Sequence, residues 1–297
     1  LSIRSKKPKH TVEYLSGQVI AAFGRHYSVE TASGEIVSCV MRGKKGGIAC
    51  GDQVELQLTA AGQGVIETIK PRASLLYRSD AFKEKIIAAN ATQIIIVVAA
   101  FPSFSEELIN RCLVAAESED LAVLIVLNKA DLAGPTQTAM ETLSLYRDLG
   151  YTLLRLSAIK NVSALRPYLA GHLSVLAGQS GMGKSTLLNA LIPQARRATA
   201  EISLALDSGC HTTTHSQLYR IDADSAIIDS PGFQEFGLNH IKSENLGWGF
   251  IEFHPYLGHC KFNNCRHINE PGCAVVLAAQ EGKIHPKRLD FYQRLLR

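Results

Sequence analysis

Gly178-Gln179-Ser180-Gly181-Met182-Gly183-Lys184-Ser185 is the stretch on which the reading of this 297-residue chain turns. It fits G-x-x-x-x-G-K-S and lies between an apolar run at 173–177 and a helical stretch that starts at Thr186. The glycines let backbone N–H groups wrap an anion, and the start of a helix adds its dipole. Lys184 would reach the β- and γ-phosphates of a nucleotide, and the Ser185 hydroxyl would bind magnesium. A glycine-rich strand-to-helix turn without a ligand is the competing reading. The order strand, loop, helix favours phosphate.

Outward from this loop, apolar runs at 94–100, 121–127 and 152–156 read as further buried parallel strands. Stretches 106–117, 137–149 and 162–169 between them read as helices, and 217–221 with 226–229 as a hairpin around Asp222-Ala223-Asp224. That predicts an α/β sandwich of about six strands, mostly parallel. Asn128-Lys129-Ala130-Asp131 ends one of those strands. Guanine offers an N1–H and an exocyclic amine side by side, and the Asp131 carboxylate can accept both. Adenine would present it an acceptor instead, which penalises the wrong base. Asn128 could bond the acceptor edge of the base and brace the loop, while the Lys129 stem could cover the ring. Ser157-Ala158 lies just past 152–156, where a backbone amide could contact the guanine oxygen.

Asp229-Ser230-Pro231-Gly232 fits D-x-x-G: Asp229 would hold magnesium through water, and the Gly232 N–H would face the γ-phosphate. Upstream, His211-Thr212-Thr213-Thr214 offers a threonine hydroxyl to complete the magnesium shell. Ras-like enzymes place a water-orienting glutamine directly after the D-x-x-G glycine; here that position is Phe233, so slow unstimulated hydrolysis is expected. The base-reading motifs precede the phosphate loop, the reverse of the order in ordinary small GTPases. The domain is therefore read as circularly permuted, and the second switch leads almost directly into the carboxy-terminal segment.

Short strands at 18–23, 27–31, 36–40, 53–58 and 65–69, separated by glycine-bearing turns, suit a small closed barrel. The oligonucleotide-binding (OB) barrel is one candidate; an SH3-like barrel would look much the same. After residue 235 no clear strand remains, and 274–280 and 287–297 read as short helices. That end carries Cys260-x4-Cys265-x-His267-x5-Cys273. Three thiolates and an imidazole suit one tetrahedral, structural zinc with no open position. His254, His259 and His285 fall outside the spacing and are read as ordinary surface or loop residues. The other cysteines, Cys39, Cys50, Cys112 and Cys210, are scattered like reduced thiols.

Composition sets outer bounds. With 46% apolar and 20% charged residues the chain is an ordinary globular one, long enough for two or three domains. Its apolar runs are far short of the roughly 18–20 residues needed to cross a bilayer, so no membrane is expected. Residues 1–10 are basic and polar, unlike a secretory signal, and Leu1 is not an initiator methionine, so residues are expected to precede it. A net charge of +4 permits a nucleic-acid partner without demanding one.

Barrel, permuted nucleotide domain and cysteine cluster together resemble the RsgA (YjeQ) family of bacterial small-subunit-dependent GTPases. The resemblance runs from Gly17 to the end and is carried by Gly178–Ser185 with Gln179-Ser180, by His211–Thr214, by Asp229–Gly232, and by Cys260 through Glu270-Pro271-Gly272-Cys273. It implies a cytoplasmic, monomeric factor that binds the small ribosomal subunit and its rRNA late in maturation. GTP hydrolysis to GDP and phosphate would be stimulated by the subunit, with His211 and Lys184 as the catalytic pair and Thr213 on magnesium. The expected layout is an OB barrel at 1–75, the permuted GTPase domain at 76–236 and a helical zinc domain at 237–297. Cys210 stands where such proteins often carry a basic residue, and Met182 occupies a position that contributes backbone. Two other readings stay open: an RNA-binding module whose nucleotide site barely turns over, and a general NTPase.

Overall fold

The computed structural model describes residues 14–43, 47–80, 83–193, 216–230 and 237–297. Its first five strands are β1 (Tyr14–Phe23), β2 (His26–Thr31), β3 (Ile36–Met41), β4 (Gln53–Ala60) and β5 (Gln63–Ile69). Successive side chains of a strand point to opposite faces. The alternation here sends Val19, Val29, Val37, Cys39, Val54, Leu56 and Ile66 into one shared core. The strands close in the order β1-β2-β3-β5-β4 with β4 returning to β1, and β3 runs parallel to β5. This is the Greek-key order of the OB barrel, which resolves the choice the sequence leaves open.

β1 does not stop at the barrel. A bulge between Val19 and Ala21 turns it, and its far end pairs with β12 (Ser216–Arg220) at Ala21↔Gln217 and Ala22↔Ser216. Arg220 adds an ion pair to Glu30 at 2.7 Å and a bond to Gln18 at 2.8 Å. Barrel and nucleotide domain thus share one eleven-stranded sheet. The sequence reading places no strand between 70 and 93, whereas the structure places a hairpin there, β6 (Leu75–Asp80) and β7 (Lys83–Ala89). No Gly, Pro or Asn marks its turn, so the usual hairpin signal is missing.

The nucleotide domain contributes β8 (Gln93–Ala99), β9 (Ala122–Asn128), β10 (Thr152–Arg155), β11 (Leu173–Ala177), β12 and β13 (Ala226–Asp229) in the order β10-β9-β8-β11-β13-β12. All run parallel except β12. β8 is buried along its whole length because both faces are covered. Ile94, Ile96 and Val98 share a core with α1 (Glu106–Ser118) and α2 (Ala133–Asp148), while Ile95 and Val97 share one with α4 (Lys184–Leu191). α2 starts earlier than the sequence suggests, because Pro135 is tolerated in a first turn. The helix expected at 162–169 is only a 3-10 turn followed by the single-turn α3 (Arg166–Leu169).

Residues 237–297 hold 3-10 turns at Leu246–Gly249 and Ile251–Phe253, then α5 (Ala274–Gln280) and α6 (Pro286–Leu295), with no strand among the described residues. They pack on the α1 face through Phe250, Phe253, Val275 and Phe291. Arg288 of α6, fully buried, bonds Asn110 of α1 at 2.7 Å and Glu252 at 2.5 Å. Among the described residues no helix is long and apolar enough to cross a membrane.

Candidate nucleotide site and metal cluster

Between β11 and α4 the loop 178–183 turns through left-handed backbone at Gly178, Gly181 and Gly183. At two of these positions space as well as φ demands glycine. A Cβ on Gly178 would lie 2.3 Å from the Val97 carbonyl oxygen, and one on Gly183 2.4 Å from Asn128 Nδ2. Gly183 stands at the N-cap of α4, whose first turn presents Lys184, Ser185 and Thr186. Lys184 Nζ donates to the carbonyls of Gly178 (2.5 Å) and Gln179 (2.9 Å). Burial lowers the Lys184 pKa and the charge of Asp229 opposes that; burial raises the Asp229 carboxyl and Lys184 opposes that. The cation and the carboxylate at the end of β13 are thus close enough to feel each other's charge.

The base-reading residues brace this loop directly. Asn128 Nδ2 donates to the Met182 carbonyl at 3.0 Å, and Asn128 Oδ1 accepts from the Ala158 N–H at 2.9 Å. The bracing role expected of Asn128 thus engages both ends of its amide, and the Ala158 N–H is engaged as well. Lys129 adopts φ 57°, and its Nζ donates to Gly181 O at 2.7 Å and Phe101 O at 2.9 Å. That left-handed turn lays its stem along the loop edge. Ser157 Oγ donates to Asp131 Oδ1 at 2.6 Å. This bond leads the causes that hold the exposed Asp131 carboxyl below its ordinary range, so it is fixed as an acceptor. Segments 128–131, 157–158 and 178–186, far apart in sequence, thus converge.

Sequence reasoning missed two of the braces. The Gln179 side chain accepts from the Ser105 N–H at 2.7 Å, and Ser105 in turn caps α1 by accepting from Leu108 N. The other is the Ser157 hydroxyl on Asp131, since the sequence reading gives Ser157-Ala158 a role only through a backbone amide. A serine ahead of the acidic pair Glu106-Glu107 could have marked the helix cap, but nothing local pairs Ser105 with Gln179. His211, Thr213 and Gly232 lie outside the described residues, as do Cys210, Thr212, Thr214 and Phe233.

Cys260 Sγ, Cys265 Sγ, Cys273 Sγ and a ring nitrogen of His267 all lie within 4.8 Å of one another. A tetrahedral zinc with Zn–S of about 2.3 Å sets its sulfurs about 3.8 Å apart. Cys260 and Cys273 are 3.9 Å apart, and His267 Nδ1 is 3.5 Å and 3.4 Å from them. The donor set fits such an ion. Burial pushes the Cys265 thiol up to about 12, a cost that a bound cation reverses. The loop is shaped by Glu270: burial pushes its carboxyl up, but N–H donors of Arg266, Ile268 and Asn269 outweigh this and hold it at about 2. Ala274 N and Val276 N donate to Cys260 and Cys273 sulfurs, both at 3.4 Å. Of the other histidines, His254 Nε2 lies 2.8 Å from the Trp248 carbonyl, and His285 caps α6.

Comparison with known proteins matches this geometry. The family model for RsgA GTPase matches residues 69–239, more than half of the chain. The small ribosomal subunit biogenesis GTPase RsgA of Nitrosospira multiformis is 61% identical over 290 residues, covering 98% of this chain and 93% of that protein. Its namesake from Nitrosomonas europaea is 57% identical over 292 residues, covering 97% and 93%. Among solved structures, YjeQ from Thermotoga maritima superposes with a TM-score of 0.74 at 32% identity, covering 95% of this chain and 97% of that one. YloQ, described as a circularly permuted GTPase, gives 0.71 at 29%, covering 98% and 96%. With the permuted order of its loops, the braced phosphate loop and these relatives together, the chain belongs to the RsgA GTPase family.

Proposed function

We propose that this chain binds the small ribosomal subunit through its rRNA late in the subunit's maturation, and hydrolyses GTP to GDP and phosphate with stimulation by that subunit. The observation that carries the reading is the convergence of Asp131, fixed by Ser157, with a phosphate loop braced by Asn128 and Lys129. Asp131 reads guanine; Gly178 through Thr186 hold the phosphates, with Lys184 supplying charge. Ser185, Thr213 and, through water, Asp229 hold magnesium, which when bound would neutralise charge on the phosphates. Gly232 would face the γ-phosphate. Cys260, Cys265, His267 and Cys273 would hold one zinc that only shapes the carboxy-terminal part. The division at 75/76 and 236/237, a monomeric state and a cytoplasmic setting belong to the same reading. Support for the partner comes from the relatives, which are small ribosomal subunit biogenesis GTPases.

Phe233 stands where a water-orienting glutamine would, so the attacking water needs another guide. His211 fits that role: imidazole can hydrogen-bond water near neutral pH, and a switch segment can be ordered by a partner. GTP turnover with small subunits, with large subunits and with neither tests the reading, and stimulation by small subunits alone is expected. His211→Ala should keep GTP affinity and subunit binding but lose most of the stimulated rate. A fully stimulated His211→Ala enzyme removes that residue from the scheme, and a wild type insensitive to subunits removes the partner.

A further inference from the structure

Two cations face each other across the β6–β7 hairpin. Arg78 and Lys85 are directly opposite in register, so their side chains leave the same face of the ribbon. Like charges so placed destabilise a strand pair, and among the described residues neither has a carboxylate partner. Both line a cavity of about 100 Å³ between the barrel and the nucleotide domain. A single water needs about 10–15 Å³ on the same measure, so there is room for a tetrahedral oxyanion. Ser216 and Ser230 also line it, with their hydroxyl oxygens 2.6 Å apart. One hydroxyl donates to the other, which leaves one O–H proton free to donate into the cavity. Gly24, in the β1–β2 turn, lines it from the barrel side.

We propose that this cavity seats one phosphodiester of an RNA strand, which on the reading above is the rRNA of the small subunit. Two cations and a hydroxyl donor match a phosphate's charge and its acceptor oxygens. Lys85 is exposed, so the site holds an anion at its edge and not in an enclosed pocket. An exposed ion pair alone is worth little, so a free phosphate would be held loosely. A phosphate already tethered in a strand has less freedom to lose on seating, so the same contact counts for more there. The position has a consequence for switching. Ser230 directly follows Asp229, and Ser216 opens β12 at its pairing with Ala22 of the barrel. A phosphate seated here would rest one residue from the carboxylate assigned to magnesium.

The inference rests on the partner assignment above, so the test separates the two. Arg78→Gln/Lys85→Gln is compared with the wild type and with Lys242→Gln/Lys283→Gln, a control with the same net charge on the carboxy-terminal part. Binding of a fluorescent single-stranded oligouridine is followed by anisotropy across a potassium chloride series. The hairpin variant should bind about five- to ten-fold more weakly at low salt, and its slope of log K against log salt should shrink by about 0.7. GTP affinity should be unchanged. Its melting temperature should not fall, because a like-charge repulsion has been removed. Unchanged oligonucleotide affinity and slope, or an equal loss in the control, overturns the proposal. Protection of the wild type but not the variant by inorganic phosphate, at concentrations no higher than the oligonucleotide requires, overturns it in favour of a free anion. If small subunits fail to stimulate wild-type turnover, the assembly reading falls, and the oligonucleotide series still decides this one.

Discussion

Replacing Arg288 by methionine keeps much of the stem's volume and removes the guanidinium, which makes it a clean probe of how the carboxy-terminal part is held. Arg288 Nε and Nη2 donate to the two Glu252 oxygens at 2.5 Å and 3.2 Å, and Nη1 donates to Asn110 Oδ1 at 2.7 Å. The guanidinium carbon lies 4.5 Å from the Phe250 ring centroid. The Arg288 side chain is 0% exposed and that of Glu252 5%. The substitution therefore strands a buried carboxylate. Breaking such a pair by removing one partner costs about 3–5 kcal/mol, and most of it is the cost of the uncompensated charge. At about 1.4 kcal/mol per decade, hydrogen-exchange protection of α6 and of 246–253 should fall by roughly two to four orders of magnitude. Protection of the barrel strands should change much less. Adding Glu252→Gln to Arg288→Met should recover more than half of the loss, since it removes the stranded charge. A loss below about 1 kcal/mol, or no recovery in the double variant, would refute this account.

Asp131→Asn should move base preference from guanine toward xanthine, whose carbonyl suits an amide donor; equal losses for GTP and XTP in competition assays would count against the assignment. Gly183→Ala should weaken guanine-nucleotide affinity at least about tenfold with little loss of barrel stability, because its Cβ would sit 2.4 Å from Asn128 Nδ2 and push that brace away; titration with a fluorescent GDP reads it. Cys265→Ser, or a strong chelator, should release about one zinc per chain and loosen chiefly residues 237–297. Metal analysis showing no zinc in protein purified without chelator would sink the cluster's assignment.

The parts legible in the sequence are those whose chemistry needs particular residues at fixed spacing. Gly178 and Gly183 are required both by left-handed φ and by the Val97 oxygen and Asn128 amide they approach, so the loop motif survives in plain sight. The cluster of Cys260, Cys265, His267 and Cys273 is legible for the same reason. What stayed hidden depends on partners distant in sequence. Gln179 reads as a filler until Ser105, 74 positions away, is brought beside it. Ser157 looks like a strand end until Asp131 folds against it. The β6–β7 hairpin carries no Gly, Pro or Asn to announce its turn, and the choice of OB barrel rests on the parallel β3–β5 pairing, which no local pattern encodes. α2 begins ahead of the stretch the sequence suggests because Gly134-Pro135 resembles a loop, although proline sits comfortably in a first helical turn.

The seam between β1 and β12 also bears on how the chain can be divided. In a lone nucleotide domain β12 would be an outer strand, its free N–H and C=O groups offered to any passing strand. Here the far end of β1 occupies part of that edge, and the Arg220–Glu30 ion pair pins the two together. The barrel thus acts as an edge guard for the segment between the two switches. A chain trimmed of its first 70 residues would lose that guard, and self-association through β12 would precede any loss of the nucleotide site.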